Sequence, residues 1–168
     1  MYTVGRIDEA HQSYRRALSL KPDFPDALSN ISQLVYEQGD SEKAIQYCHR
    51  ALALTSDFPE ALNNLGAALA GQNKLEAAIA NYRRAIELNP NFADAYNNLG
   101  SALQAQGEDS AAVHNFRQAI DYNPNFTDAY INLGTVLQAQ QQLDLAINCY
   151  QKASVSYTHL TLPTILLV

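Results

Sequence analysis

The stretch from Pro59 to Phe92, PEALNNLGAALAGQNKLEAAIANYRRAIELNPNF, decides the fold, because much of the chain repeats its pattern. The block from Ala93 to Phe126 carries the same skeleton one period later. The matching pairs are Leu65 and Leu99, Gly66 and Gly100, Ala78 and Ala112, Tyr82 and Phe116, Ala85 and Ala119, and Pro90 and Pro124. A fixed period of about 34 residues is typical of helical hairpins that stack on one another.

The same period divides the chain into units. Residues 1–24 correspond to a partial unit that has only its second helix, three full units occupy 25–58, 59–92 and 93–126, and an incomplete unit occupies 127–153. Residues 154–168, SVSYTHLTLPTILLV, depart from the pattern, with no charge and no helical spacing. We expect this segment to be a non-native tail, with a genuine variable terminus as the alternative.

The pattern of each of the four units after residue 24 predicts a first and a second helix, because its apolar residues recur at helical spacing. The first helices are expected at about 26–38, 60–72, 94–106 and 128–140, and the second helices at about 42–54, 76–88, 110–122 and 144–153. Gly66, Gly100 and Gly134 share one position of the first helix, where the preceding unit has Ser32. Glycine inside a helix costs about 1 kcal/mol relative to alanine, so its recurrence predicts a close helix–helix approach.

The turns before the first helices are also regular. Asp57-Phe-Pro-Glu60 has counterparts beginning at Asp23, Asn91 and Asn125. Because Asp and Asn are good N-cap residues, we expect them to cap these helices, with Asp57 and Glu60 resembling a capping box. The acids Asp26, Glu60, Asp94 and Asp128 have two interpretations: charges that complement the helix dipole, which we favour, or an acidic lip for basic ligands.

Composition narrows the function. The formal net charge of -6 argues against nucleic acid or an anionic membrane as the partner, since both attract Lys and Arg. Cys48 and Cys149 lie about three repeats apart, too far for a disulfide, which fits an intracellular, cytoplasmic setting, with the nucleus as an alternative. We expect no membrane-spanning segment, since no apolar run reaches about 18 residues.

The sequence suggests no chemistry of its own. Its four histidines are scattered over separate units, without the spacing of zinc ligands, so we expect no metal site. It has no nucleophile-elbow motif and no glycine-rich phosphate loop, so we expect no catalytic residues and no cofactor. We therefore predict that the chain is not an enzyme.

The chain resembles the tetratricopeptide repeat (TPR) family over about residues 1–153. The resemblance is carried by ALNNLGAAL at 61–69, by the pattern AxxxYxxA at 78–85, and by Pro90, each repeated along the chain. It implies an all-α, right-handed superhelical solenoid of antiparallel helix hairpins. In that family the first helices line a concave groove that binds extended peptides or partner helices.

A narrower resemblance rests on a row of asparagines at one position per unit, Asn30, Asn64, Asn98 and Asn132. Asparagine favours caps and turns, so four of them within first helices need a reason. The runs LNNLG and NPNFADAYNNLG resemble the repeats of O-linked N-acetylglucosamine transferases, including the SPINDLY type. That resemblance implies that the asparagine amides hold a peptide backbone. Hydrogen bonding between adjacent helices is the alternative.

We therefore predict a protein-binding or peptide-binding scaffold. The candidate binding residues are Asn30, Asn64, Asn98 and Asn132, with Asn63 and Asn97 beside them. One alternative is the substrate-recognition fragment of a glycosyltransferase whose catalytic domain is absent here. Another is self-association through repeat ends that lack a polar capping helix.

Overall fold

The computed structural model describes residues 2–161, without the side chains of 2–8, 10, 11 and 155–161. The described residues form nine α-helices and no strand, which confirms the all-α prediction. The helices are α1 (Tyr2–Leu20), α2 (Pro25–Glu37), α3 (Ser41–Leu54), α4 (Pro59–Gly71), α5 (Leu75–Leu88), α6 (Ala93–Ala105), α7 (Asp109–Tyr122), α8 (Thr127–Ala139) and α9 (Leu143–Thr161). They divide between two compact units, Met1–Pro90 and Asn91–Val168. We call these the first and the second unit, and we call each period of about 34 residues in the sequence a repeat.

Each unit is built from helical hairpins. In the first unit α2 packs against α3 and α4 against α5, while α1 packs against α2 and α3 against α4. In the second unit α6 packs against α7 and α8 against α9, with α7 against α8. We call α2, α4, α6 and α8 the first helices, and α3, α5, α7 and α9 the second helices. All of them begin one residue before the expected position.

The core of the first unit consists of aliphatic residues and alanines from adjacent hairpins. Ile31, Val35 and Ala44 pack with Ala68 of the next hairpin. Leu28, Ala51 and Ala61 form a second cluster, against which Phe58 packs. The contact of Phe58 explains why a phenylalanine recurs before each first helix, since it joins one hairpin to the next.

The expectation that Asp or Asn caps the first helices is wrong. Their N-cap residues are Phe24, Phe58, Phe92 and Phe126, and none of these makes a side-chain cap hydrogen bond. The helices begin one residue later than a cap at Asp23 or Asp57 requires. In α2 and α4 the first residue is Pro25 or Pro59, whose fixed φ and missing N–H are tolerated there, and α6 and α8 begin at the equivalent Ala93 and Thr127. Asp57 instead forms an exposed ion pair with Arg84, at 2.9 Å.

The last helix is longer than expected. We expected it to end at Ala153 and found no helical spacing beyond it, but α9 continues to Thr161. Thr158 stands where earlier repeats have the prolines Pro90 and Pro124, so the backbone there is not interrupted by a missing N–H. Residues 162–168, the remainder of the expected non-native tail, lie outside the described residues.

Candidate functional site

The first helices of each unit form a closely spaced layer. In the first unit α2 contacts α4, and in the second unit α6 contacts α8. Among the described residues no such contact joins α3 to α5 or α7 to α9. The first helices therefore lie closer together than the second helices, and their outward faces make a continuous surface within each unit.

Glycine allows each first helix to approach its second helix. A Cβ atom built at Gly66 would lie 2.6 Å from Cε1 of Tyr82, and one built at Gly100 would lie 2.7 Å from Cε1 of Phe116. At Gly134 the corresponding distance, to Cε1 of Tyr150, is 2.8 Å. Real Cβ contacts are longer than this, so the aromatic ring occupies the space that a side chain would need. The close approach predicted from the glycine row is confirmed.

The asparagine row lies on the layer of first helices. We call Asn30, Asn64, Asn98 and Asn132 the ladder asparagines. Asn30 is exposed, whereas the other three are half-buried. Asn63 and Asn97 are only 8% exposed, so they lie beneath the surface on which the ladder asparagines stand.

Two ladder asparagines bond to the preceding first helix of their own unit. Nδ2 of Asn64 donates to the backbone oxygen of Ser29 at 3.1 Å and to its Oγ at 3.2 Å. Nδ2 of Asn132 donates to Oδ1 of Asn97 at 3.0 Å. The structure thus brings together Asn97 and Asn132, and it fixes one end of each amide between two helices.

Ser29 is a residue that sequence reasoning missed. It is 2% exposed and stands at the position that Asn63 and Asn97 occupy in the next two repeats. The available signal was the spacing: Ser29 precedes Asn64 by 35 residues, just as Asn97 precedes Asn132. A search for polar residues one position before the ladder would have found it.

The charges of the hairpins are divided between the two sets of helices. The four first helices contain five carboxylates, Asp26, Glu37, Glu60, Asp94 and Asp128, and no Lys, Arg or His. The second helices carry the basic residues, among them Lys43, Arg50, Arg83, Arg84, Arg117 and Lys152. The surface of the first-helix layer is therefore polar and exclusively acidic in its charges.

The described residues offer little reactive chemistry. Burial raises the pKa of the Cys48 thiol to about 11, against a smaller opposing effect of its hydrogen bond with Ser32. Burial also raises the pKa of Cys149, partly offset by Arg117. Among the side chains that the structure describes, no group of three or more His, Cys, Asp or Glu is placed to hold a metal ion.

Family models match most of the chain. A model described as a TPR repeat matches residues 2–39, 33–73 and 68–107, and models described as tetratricopeptide repeats match 93–126 and 115–148. The chain belongs to the tetratricopeptide repeat family. It is therefore a repeat protein of a class that acts in protein interaction. Within the described range, no helix of this TPR chain is long and apolar enough to cross a membrane.

Several solved structures resemble this one. MamA is 28% identical, with 94% of this chain and 92% of that chain covered and a TM-score of 0.72. TTC0263, a thermophilic TPR protein of Thermus thermophilus, is 24% identical, with 90% and 84% covered and a TM-score of 0.80. YrrB, a TPR protein with an unusual peptide-binding site, is 22% identical, with 92% and 80% covered and a TM-score of 0.64. The similarity to TTC0263 and YrrB concerns the fold alone. Among curated proteins no match was found.

Proposed function

We propose that this TPR protein binds an extended peptide segment on its first-helix layer, with the ladder asparagines holding the backbone of the partner. The observation that carries this proposal is the fixed orientation of two ladder amides. Asn64 and Asn132 each donate Nδ2 to the preceding first helix. A side-chain amide has a donor end and an acceptor end, so the Oδ1 atom is the end suited to accept a backbone N–H from a partner.

The hydrogen bonds to Ser29 and Asn97 also reduce the cost of binding. An immobilised side chain costs about 0.5–1.5 kcal/mol at an interface. Because the amides of Asn64 and Asn132 are already held in the free protein, less of that cost falls on partner binding. In this proposal Asn63 and Asn97, which are largely buried, support the ladder from below, and Asn30, Asn64, Asn98 and Asn132 contact the partner. The peptide-binding site of YrrB, a protein of the same fold, is consistent with this use of the repeats.

The test compares two pairs of asparagines. Peptides are first selected against the unaltered protein from a random displayed library, and the Kd of a selected peptide is then measured by titration. Asn64→Ala with Asn98→Ala should weaken binding about tenfold, the equivalent of about 1.4 kcal/mol. The control is Asn81→Ala with Asn115→Ala, because these asparagines lie on second helices and donate to the backbone oxygens of Ala77 and Ala111 in their own helices.

The control pair should leave the Kd unchanged. If the ladder pair binds as tightly as the unaltered protein, with its helicity intact by circular dichroism, the ladder asparagines serve only to join helices and the proposal is wrong. Failure to select any peptide would also count against it.

The same surface suits the alternative of a glycosyltransferase fragment that presents acceptor proteins. The asparagine row is its support, since the matched family models describe TPR repeats in general. The deciding experiment is to read the authentic gene past the codon for Ala153. Further repeats followed by a large α/β region would support the fragment, whereas a polar capping helix followed by a stop codon would support a stand-alone adaptor.

Self-association is a second candidate function, favoured by an apolar surface on α8 and α9. Ile131, Leu143, Leu145 and Ile147 are 37%, 58%, 49% and 54% exposed. Ile79, which holds the same position as Ile147 two repeats earlier, is only 6% exposed. Sedimentation over a range of concentrations should reveal an oligomer that Leu145→Lys weakens and that Leu54→Lys, at a 45% exposed position of the first unit, does not. A monomer at all concentrations would exclude this function.

A further inference from the structure

We infer that the first-helix layer binds a positively charged segment, with Lys or Arg at about every third residue. This inference rests on the proposed function and names the class of partner. It is carried by the placement of charge relative to the ladder asparagines, which follows from the helix geometry of each unit.

Each ladder asparagine has a carboxylate four residues before it. The pairs are Asp26 and Asn30, Glu60 and Asn64, Asp94 and Asn98, and Asp128 and Asn132. Residues four apart share one helix face and lie about 6 Å apart along the axis. A peptide backbone held by the asparagines would therefore have its side chains within reach of the carboxylates.

These four carboxylates are available to a partner. All four are exposed, and none takes part in the ion pairs found among the described side chains, which join Arg84 to Asp57 and Glu87. The residues that follow the ladder on the same face are mostly small, such as Ala67, Ser101 and Thr135, and leave room for a chain to lie along the surface. No basic side chain of a first helix competes for the carboxylates.

The first turns of the second helices provide the matched comparison. Glu42, Glu76 and Asp144 are the second residue of their helices, as are the four carboxylates that precede the ladder asparagines, and Asp109 is the first residue of α7. A role confined to the dipole predicts equal behaviour of the two sets. The sets differ in their neighbours, because only the second helices carry basic residues in their sequences. Charge complementarity therefore singles out the first-helix layer as the face for a cationic partner.

The spacing of the partner's charges follows from two lengths. Neighbouring packed helices lie about 8–10 Å apart, and an extended chain advances about 3.3 Å per residue. Successive carboxylates of the two first helices in a unit are thus about three residues of an extended peptide apart. Lysines at every third position match that interval.

The experiment uses three labelled peptides of about nine residues, roughly 30 Å when extended, with Lys, Gln or Glu at every third position and small residues between. We expect the full chain to bind the Lys peptide about tenfold more tightly than the Gln peptide, and the Glu peptide most weakly, at about 0.1 M salt. At about 1 M salt, where the screening length falls to about 3 Å, the preference should largely disappear.

Two variants then locate the preference. Asp26→Asn, Glu60→Gln, Asp94→Asn and Asp128→Asn together should abolish the preference for Lys over Gln. Glu42→Gln, Glu76→Gln, Asp109→Asn and Asp144→Asn together change the net charge by the same amount and also remove first-turn carboxylates, and they should leave this preference intact. Thermal unfolding of both variants shows that they fold.

The outcomes separate this inference from the proposed function. Equal binding of the three peptides, or an equal loss of preference in both variants, would overturn the inference and leave peptide binding standing. Failure of every peptide to bind would overturn both. Saturable binding of the Lys peptide that only the first-helix variant loses supports both.

Discussion

The ring of Tyr82 occupies the place where Gly66 would carry a side chain, with Cε1 2.6 Å from the position of a Cβ atom. Phe116 and Tyr150 stand in the same relation to Gly100 and Gly134. In the repeat at 25–58 the same two positions are Ser32 and Cys48, both fully buried. A glycine on the first helix thus accompanies an aromatic residue on the second helix. Where the first helix has the larger serine, the second helix has the smaller cysteine.

Gly66→Ala should lower the free energy of unfolding. Overpacking of a core typically costs about 1–3 kcal/mol of unfolding free energy. The better helix propensity of alanine offsets about 1 kcal/mol of that loss. We expect a net loss within about 0–2 kcal/mol and centred on about 1 kcal/mol, measured by urea unfolding. The control Ala67→Gly, at the adjacent half-buried position, reports the propensity difference alone. A Gly66→Ala variant as stable as the unaltered protein would show that the Tyr82 ring moves aside freely.

The combination of Ser32 and Cys48 should be tolerated in the next repeat, at the positions of Gly66 and Tyr82. Tyr82→Cys alone leaves a cavity, which costs several kcal/mol for a buried aromatic ring, and Gly66→Ser alone overpacks the site. Together they recreate the combination of Ser32 and Cys48, so their effects should not add. We expect a coupling free energy of at least about 1 kcal/mol in a double-mutant cycle. Simple additivity would mean that the two positions do not select each other.

In each of the four described hairpins, the turn between the two helices has a left-handed residue at the same position. Gly39 and Gly107 have φ of 88° and 81°, whereas Asn73 and Gln141 stand there with φ of 59° and 61°. Glutamine tolerates this conformation poorly, so Gln141→Gly should raise the free energy of unfolding by about 0.5–1 kcal/mol. The reciprocal Gly107→Gln should lower it, although no described atom lies within 4 Å of a Cβ built there. Opposite signs in thermal unfolding are the expected result, and equal signs would contradict it.

The burial of Cys48 should make stability fall at alkaline pH. Its pKa is raised by burial from 9.0 to about 11, so between these values the unfolded chain loses the thiol proton while the folded chain retains it. The contribution of the buried thiol is therefore complete below about pH 9 and declines by up to about 1.4 kcal/mol per pH unit as the pH rises towards 11. Cys48→Ala should flatten the pH dependence of the urea midpoint between about pH 9 and 10, below the range of Tyr82, whose pKa burial also raises. An identical pH slope in the variant would rule out this assignment.

Asp40 caps α3 with its side chain, which accepts a hydrogen bond from the backbone N–H of Lys43 at 3.0 Å. Asp40→Ala should cost about 0.5–2 kcal/mol of unfolding free energy. Asp57→Ala should cost less, because Asp57 precedes the N-cap residue Phe58 and forms only an exposed ion pair. Chemical denaturation of both variants checks the order, which would be reversed if Asp57 capped α4.

The period of the sequence predicted the helices and the glycine contact because both depend on residues that recur. Gly66 is informative in the sequence itself, since a helix carries an interior glycine only for a reason of packing. The starts of the first helices were less predictable, because Pro59 can occupy the first turn whether Asp57 or Phe58 is the cap. The hydrogen bond from Asn64 to Ser29 was harder still to predict from the sequence, since it depends on how far adjacent hairpins are offset from one another. The acidic and amide character of the first-helix layer was readable from the sequence, but its separation from the basic second helices required knowing which helices contact each other.

The pairing of Gly66 with Tyr82, and of Ser32 with Cys48, has a consequence for how such arrays change in evolution. The two members of each pair lie on the two helices of one hairpin, so a whole hairpin can be duplicated or exchanged without separating them. A crossover within the turn between the two helices would join the serine of one lineage to the tyrosine of another. Successful recombination should therefore break the gene between hairpins, in the segments that lead to Pro25 and Pro59, and seldom at Gly39 or Asn73.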